Sequence, residues 1–176
     1  YFTMSAEMCD CFDNRRAGVK YILNQIQKIK YSSYIFSKYG LIKLNSKHKV
    51  PQDGVGSYNW YASALYVSKL VDNAILIDFG STTCDFSIIK DGKVQNRRTS
   101  DIKGMFTKEL LYTGCSRTPI YAHISEIMFR NKIYSIIPES FSSMSDINII
   151  LGNLNKGDIY SKSSDGSSHS LLQSYK

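Results

Sequence analysis

Residues 73–92, NAILIDFGSTTCDFSIIKDG, limit what this chain can fold into more than any other stretch. An apolar run over 74–77 ends on a carboxylate, Asp78; beyond Phe79 come Gly80, Ser81, Thr82 and Thr83. A second, alternating run over 84–89 carries Asp85 near its start, and Asp91-Gly92 closes it. Short β-branched and aromatic runs bounded by turn residues predict strands, and Asp-Gly predicts a type I′ hairpin. The stretch therefore reads as strand, hydroxyl-rich turn, strand, tight turn and a third strand through Val94. At the first turn Gly80 allows a close backbone approach, and consecutive amides form a concave site for an anion. Ser81, Thr82 and Thr83 add hydroxyl donors, while Asp78 and Asp85 flank the turn. Two carboxylates beside a phosphate cradle make chemical sense if hydrated magnesium lies between them. A polar hairpin with no ligand competes with this reading wherever D-x-G-S/T-T stands alone. Here the two strands, with both acids at the ends nearest the turn, favour phosphate.

The rest of the composition narrows the partners. At 176 residues, 43% apolar and 21% charged, the chain can bury a core of ordinary size. Its net charge of +7 is spread rather than blocked, which suits small anionic molecules and argues against nucleic acid. No apolar run reaches the length of a membrane span. The four cysteines, Cys9, Cys11, Cys84 and Cys115, match no zinc spacing. Buried free thiols in a reducing cytoplasm are expected. His48, His123 and His169 are scattered and suggest no metal triad, and no G-x-S-x-G turn offers a serine nucleophile. The chain opens on Tyr1 with what reads as the end of a strand, so an internal piece of a longer protein is expected.

In chain order, Ser5 is predicted to cap a helix starting Ala6-Glu7-Met8. A break at Asp13-Asn14 precedes an amphipathic helix whose stripe is Val19, Ile22, Leu23, Ile26 and Ile29. Tyr34-Ile35-Phe36 reads as a strand, 38–45 as a turn with a second strand, and 46–57 as an internal boundary. A helix over 57–71 puts Trp60, Ala64, Val67 and Val71 on one face and runs into the hairpin. Residues 97–107 read as a loop with a helical turn over 101–105, and 109–112 as extended. Two strands, 120–124 and 132–137, are expected to join across Arg130-Asn131. A helix from Pro138-Glu139 to about Leu151 points Phe141, Met144, Ile147 and Ile150 or Leu151 inward, and Gly152 ends it. The polar segment from Asn155 carries no chemistry.

Five stretches together resemble one family. ILIDFGSTTCDFSIIKDGKV looks like the second phosphate loop of actin-like ATPases, in particular the hydantoinase/oxoprolinase group. TMSAEMCDCF, YNWYASA, ELLYTGCSRTPI and ESFSSMSDINIILGNL resemble, in order and spacing, a branch linked to tetrahydromethanopterin-dependent one-carbon transfer, the methanofuran-biosynthesis condensing enzymes. The resemblance implies an α/β, ribonuclease-H-like (actin-like ATPase) fold, the second lobe plus part of the first, with a mixed sheet flanked by helices. Residues 1–50 would belong to the first lobe and an interlobe helix, 51–154 to the second lobe with the phosphate hairpin, and 155–176 to a polar tail. Two positions depart from the branch: Cys84 replaces a third threonine, and Lys108 stands where glycine usually precedes Glu109.

The implied activity is a cytoplasmic transferase that joins a phenol, tyrosine-like or (γ-glutamyl)tyramine-like, to an aminomethylfuran diphosphate and releases pyrophosphate. Its partners would be the small-molecule diphosphate and the phenolic substrate, with no nucleic acid and no membrane, and with an oligomer left open. Gly80, Ser81, Thr82 and Thr83 would bind phosphate, with magnesium on Asp78 and Asp85. Arg117 would clamp phosphate or a substrate carboxylate, or else form an exposed ion pair. A base is wanted for a phenol with a pKa of about 10. Glu7, Asp10 and Glu109 are the candidates, against a solvated helix face for the first two and a strand-end charge for the third. The rival readings are an ATP-dependent amidohydrolase or kinase of the same group, and a degenerate nucleotide-binding module without activity. The piece in hand is expected to bind phosphate weakly and not to turn over.

Overall fold

The computed structural model of the chain describes residues 1–44 and 50–155. The sequence expectations for His48, His169 and the tail beyond Asn155 lie outside these residues. The structure is mixed α/β. It packs as two compact units, Tyr1–Leu76 with Phe86–Glu109, and Ile77–Asp85 with the described residues from Leu110 onward.

In the first unit, helix α1 spans Arg15–Gln27, and Asn14 caps it by accepting the Ala17 amide at 3.0 Å. Its i, i+4, i+7 stripe of Val19, Leu23 and Ile26 is buried in one core with Met4, Ile35, Leu44, Val50 and Val55. Ile29 lies past the helix end and is 42% exposed, so the stripe is shorter than its sequence period. Strands β1 (Ser33–Ser37) and β2 (Gly40–Leu44) form an antiparallel hairpin, and Phe2 bridges to Ile35. Helix α2, Asn59–Val67, buries Trp60 and Ala64.

The predicted helix at Ala6-Glu7-Met8 does not form. Residues 6–12 make isolated turns, Cys9 N–H to Ala6 C=O and Phe12 N–H to Cys9 C=O. The turns are held by tertiary contacts: a Cβ at Gly18 of α1 would overlap the Glu7 carbonyl, and the Glu7 side chain is buried. Local helix propensity, worth only tenths of a kcal/mol per residue, loses to those contacts.

The hairpin forms as the residues predict, with β3 at Ala74–Phe79, β4 at Cys84–Lys90 and β5 at Lys93–Val94. Asp91 and Gly92 both have positive φ, 51° and 67°, the backbone of a type I′ turn. Strand β6, Leu110–Leu111, pairs antiparallel with β4 and completes a four-stranded sheet ordered β3–β4–β5 with β6 on β4. Helix α3 spans Asp101–Thr107, longer than the single turn expected. It ends at Lys108 in the left-handed conformation, φ 62°. That backbone gives a physical reason for a glycine at this position.

In the second unit, β7 (Glu126–Phe129) and β8 (Lys132–Ser135) pair across Arg130 and Asn131, both at positive φ. The turn stands where it was expected, but its first strand is 126–129 and not 120–124. Pro119 leads Ile120–Ala122 into a 3₁₀ turn, and the Ile120 amide donates to the Ser142 carbonyl. Helix α4 is Met144–Ile150 and does not begin at Pro138. Asp146 accepts the Ser143 amide at 2.8 Å, so a capping box fixes the start six residues later. Phe141, Ile147 and Leu151, expected inward, are exposed, whereas Ile149 is buried and Gly152 closes the helix at φ 72°. Among the described residues no helix is long and apolar enough to cross a membrane.

Candidate functional site

The hydroxyl-rich turn lies in the second unit and is tied at both ends. Gly80 N–H donates to the Thr83 carbonyl at 2.9 Å, closing the turn on itself. The segment Gly114-Cys115-Ser116-Arg117 then grips its carbonyls: Cys115 N–H reaches Gly80 C=O at 3.0 Å, and Arg117 N–H reaches Ser81 C=O at 2.9 Å. Gly114 permits this approach, because a Cβ there would overlap the Ser81 carbonyl. The gripping loop is itself pinned by Gly114 N–H to Thr118 Oγ1 (2.8 Å), Asn148 Nδ2 to Cys115 C=O (2.8 Å) and Ser145 N–H to Ser116 C=O (3.0 Å). Two segments that the sequence keeps apart, GSTT and TGCSRTP, are thus one interlocked loop pair backed by α4.

The bonds named above run through the Gly80 amide and the Gly80, Ser81 and Thr83 carbonyls, and Gly114 packs against the Ser81–Thr82 peptide. Ser81 and Thr82 are exposed, with their hydroxyls 3.4 Å apart. Hydroxyls on a fixed, exposed turn can receive an anion without reorganising. Asp78 and Asp85 are half-buried, and the Thr83 hydroxyl reaches Asp85 Oδ2 at 3.5 Å. Burial, then Asp85 and Asp78, pushes the Cys84 thiol above its ordinary pKa. Cys84 is buried, so its departure from threonine adds packing at the start of β4. Two carboxylates are what magnesium commonly takes from a protein when phosphate and water supply its other ligands, and Asp78 and Asp85 are the residues of this turn that could hold one. Arg117 is exposed, and its backbone is what grips the turn.

The three candidate bases lie in the first unit and differ in their surroundings. Glu7 does not stand on a solvated helix face. It is 2% exposed, and its Oε1 accepts the Ser57 amide at 2.7 Å and the Ser57 hydroxyl at 3.2 Å. Arg15 Nε lies 4.0 Å from the same oxygen, while among the described residues Oε2 is buried without a hydrogen-bond partner. Asp10 is exposed. Glu109 is buried and accepts Arg97 N–H at 2.9 Å and Arg98 N–H at 2.8 Å, so its carboxylate clamps the backbone ahead of α3.

Around Glu7 the structure gathers residues that sequence reasoning passed over. Ser57 sits at φ 56°, its amide and hydroxyl on Glu7 and its carbonyl on the Trp60 indole N–H at 2.9 Å. Arg98 stacks on Trp60 at 4.5 Å and donates to Asp101 Oδ1 at 3.2 Å, and Arg15 donates to Asp101 Oδ2 at 3.4 Å. The Tyr58 hydroxyl donates to the Thr99 carbonyl at 3.0 Å, and burial raises its pKa above the ordinary tyrosine value. These groups come from three separated stretches with no common spacing. The one local signal, YNWYASA, marks only the helix.

Comparison with known proteins agrees with the resemblance. A hydantoinase/oxoprolinase family model matches residues 2–173. A protein of Methanocaldococcus jannaschii named (4-{4-[2-(gamma-L-glutamylamino)ethyl]phenoxymethyl}furan-2-yl)methanamine synthase is 32% identical over 165 residues, 93% of this chain and 50% of the relative. A protein of the same name from Methanococcus vannielii is 38% identical over 104 residues, 58% of this chain and 46% of the relative. The chain spans about half the length of these curated relatives. With the family model covering nearly its whole length, the chain belongs to the hydantoinase/oxoprolinase family.

Proposed function

We propose that the protein to which this chain belongs is a transferase of methanofuran-type cofactor biosynthesis, built on a ribonuclease-H-like, actin-like ATPase fold. It condenses an aminomethylfuran diphosphate with a tyrosine-like or (γ-glutamyl)tyramine-like phenol. The phenol oxygen forms a bond to the furan's methylene carbon, the carbon–oxygen bond to diphosphate breaks, pyrophosphate leaves, and a carboxylate takes the phenolic proton. The relatives' names support the substrate classes. The observation that carries the reading in this chain is the Gly80–Thr83 turn: the 114–117 loop holds its Gly80 and Ser81 carbonyls, and Ser81 and Thr82 present hydroxyls on exposed residues.

In this reading Gly80, Ser81, Thr82 and Thr83 hold the departing diphosphate, and Arg117 adds a cation. Asp78 and Asp85 would hold magnesium, which when bound neutralises charge building on the leaving group. Glu7, Asp10 and Glu109 are the candidates for the proton-accepting role; Glu7 and Glu109 accept backbone amides, and Asp10 is exposed.

The test is pyrophosphate release from furan diphosphate and phenol by the full protein with magnesium. Asp78→Asn and Asp85→Asn are each expected to lower turnover by at least about a hundredfold. Wild-type turnover in either would sink the assignment of the hairpin. Release without ATP consumption separates this reading from an ATP-driven amidohydrolase or kinase. The 176-residue chain alone is expected to bind phosphate weakly and not to turn over.

A further inference from the structure

The first unit carries a pocket that the transfer chemistry above does not use. It is a small cleft of about 80 Å³ that opens to solvent, lined by two guanidinium groups, Arg15 and Arg98, and two carboxylates, Asp53 and Asp101. That is well below the size of a cleft for a whole drug-sized ligand, and leaves room for a head group at most. We propose that this pocket binds an α-amino-acid head group, with the carboxylate on Arg15 and the ammonium on Asp53. The proposal rests on the transferase reading, in which the phenol carries a γ-glutamyl group whose α-amino and α-carboxyl groups are free.

The argument is one of charge and fixed geometry. The lining charges cancel. A diphosphate would gain from the arginines but meet Asp53 and Asp101, and a lone amine would meet the reverse. A zwitterion satisfies both signs at once. The back of the pocket is built before any ligand arrives. Asp101 spends one oxygen on each arginine, and Arg98, its side chain 4% exposed, is fixed by that pair and by its stack on Trp60. Ser57 is locked through its amide, hydroxyl and carbonyl, and a Cβ on neighbouring Gly56 would press at 3.1 Å on both Arg15 Nε and Glu7 Oε1. Buried Glu7 thus sits behind Arg15 as a fixed counter-charge.

The front is open. Arg15, its side chain 42% exposed, spends one of five N–H donors on Asp101 and so has donors for a bidentate carboxylate. The Asp53 side chain is 78% exposed, with the Lys38 ammonium at 3.5 Å, and can accept a second ammonium. Groups ordered in advance lower the entropy cost of binding.

The experiment titrates the full protein with γ-L-glutamyltyramine and with tyramine, by calorimetry and by steady-state pyrophosphate release. The wild type is expected to prefer the glutamylated phenol by about tenfold or more, since a site with paired polar groups rejects an analogue lacking them. Asp53→Asn, at an exposed side chain, and Arg15→Lys, which keeps the charge but loses the fork, should each weaken γ-L-glutamyltyramine by about five- to tenfold. Both should raise KM with kcat unchanged and leave tyramine as before. Equal affinity for the two phenols in the wild type, or wild-type binding in a folded Asp53→Asn protein, overturns the proposal. So does competition by inorganic pyrophosphate that Arg15→Lys abolishes, since that would make the pocket an anion site. If pyrophosphate is released with the same KM for both phenols, the pocket assignment alone falls. If glutamyl preference is present and lost in Asp53→Asn but no pyrophosphate forms, the transfer chemistry alone falls.

Discussion

Replacing Glu109 by alanine strips the acceptor from two backbone amides, those of Arg97 and Arg98, which reach its oxygens at 2.9 and 2.8 Å. Arg98 is buried, so its amide finds no water when the carboxylate goes, at a cost of about 1–3 kcal/mol. Arg97 is exposed and its amide can rehydrate, which places its share at the low end of the same range. The ion pair from Arg97 Nε at 3.9 Å adds little, because that arginine is 75% exposed. The sum is about 2–4 kcal/mol, a large part of a typical domain's stability. For a chain of this size that is a drop in Tm of about 5–15 °C. Hydrogen exchange is the sharper assay, since the two units need not melt together: protection should fall first at the Arg97 and Arg98 amides. Glu109→Gln keeps one carbonyl acceptor and should cost about half as much. Turnover in either variant should follow the folded fraction and recover on cooling. A Glu109→Ala protein with wild-type melting and unchanged protection at 97–98, or a stable Glu109→Gln protein with no turnover, would show that the carboxylate serves chemistry and not the clamp.

Other perturbations follow from single observations. Lys108→Gly relieves a left-handed residue at φ 62°; set against the looser unfolded chain, the gain is up to about 1 kcal/mol, read from urea denaturation. Gly114→Ala drives a Cβ into the Ser81 carbonyl and should displace the hydroxyl turn, weakening pyrophosphate binding by about tenfold or more, measured by calorimetry on the full protein. Cys84 is buried and its thiol pKa is raised, so Ellman's reagent at pH 8 should find the exposed Cys9 and Cys11 well before it. Because the folded state holds that proton more tightly than the unfolded chain, Cys84 favours the fold below about pH 9. Its contribution should fade as pH rises past the folded-state value, visible as lost stability in alkaline melts.

The parts of this structure legible in the sequence are those whose cause is local. Strand β4 and its Asp91-Gly92 turn follow from alternation and a dipeptide that tolerates positive φ, and α1 follows from Val19, Leu23 and Ile26 on one stripe. Where long-range contacts decide, the local signal misled. Ala6-Glu7-Met8 has helical residues, yet Glu7 is turned inward by Ser57, fifty positions away. Ile120 to Ile124 has strand residues, yet Pro119 and the Ser142 carbonyl bend it into a 3₁₀ turn. Pro138 has the look of a helix start, yet α4 begins after Ser143, whose amide donates to Asp146.

The same division runs through the candidate sites. The anion turn is written in consecutive residues, 80–83, and could be seen directly. Its grip by 114–117 shows only as a second motif whose purpose the structure supplies: Gly114 is small because the Ser81 carbonyl lies where its Cβ would be. The proposed amino-acid pocket has no sequence signature, because Arg15 at the start of α1, Asp53 in a 3₁₀ turn and Arg98 in the loop before α3 share neither spacing nor element. A site of that kind can be found only by asking what buried charges have been arranged to face. Here Glu7 and Asp101, one behind Arg15 and one between the two arginines, hold the guanidinium groups where a ligand of mixed charge would meet them.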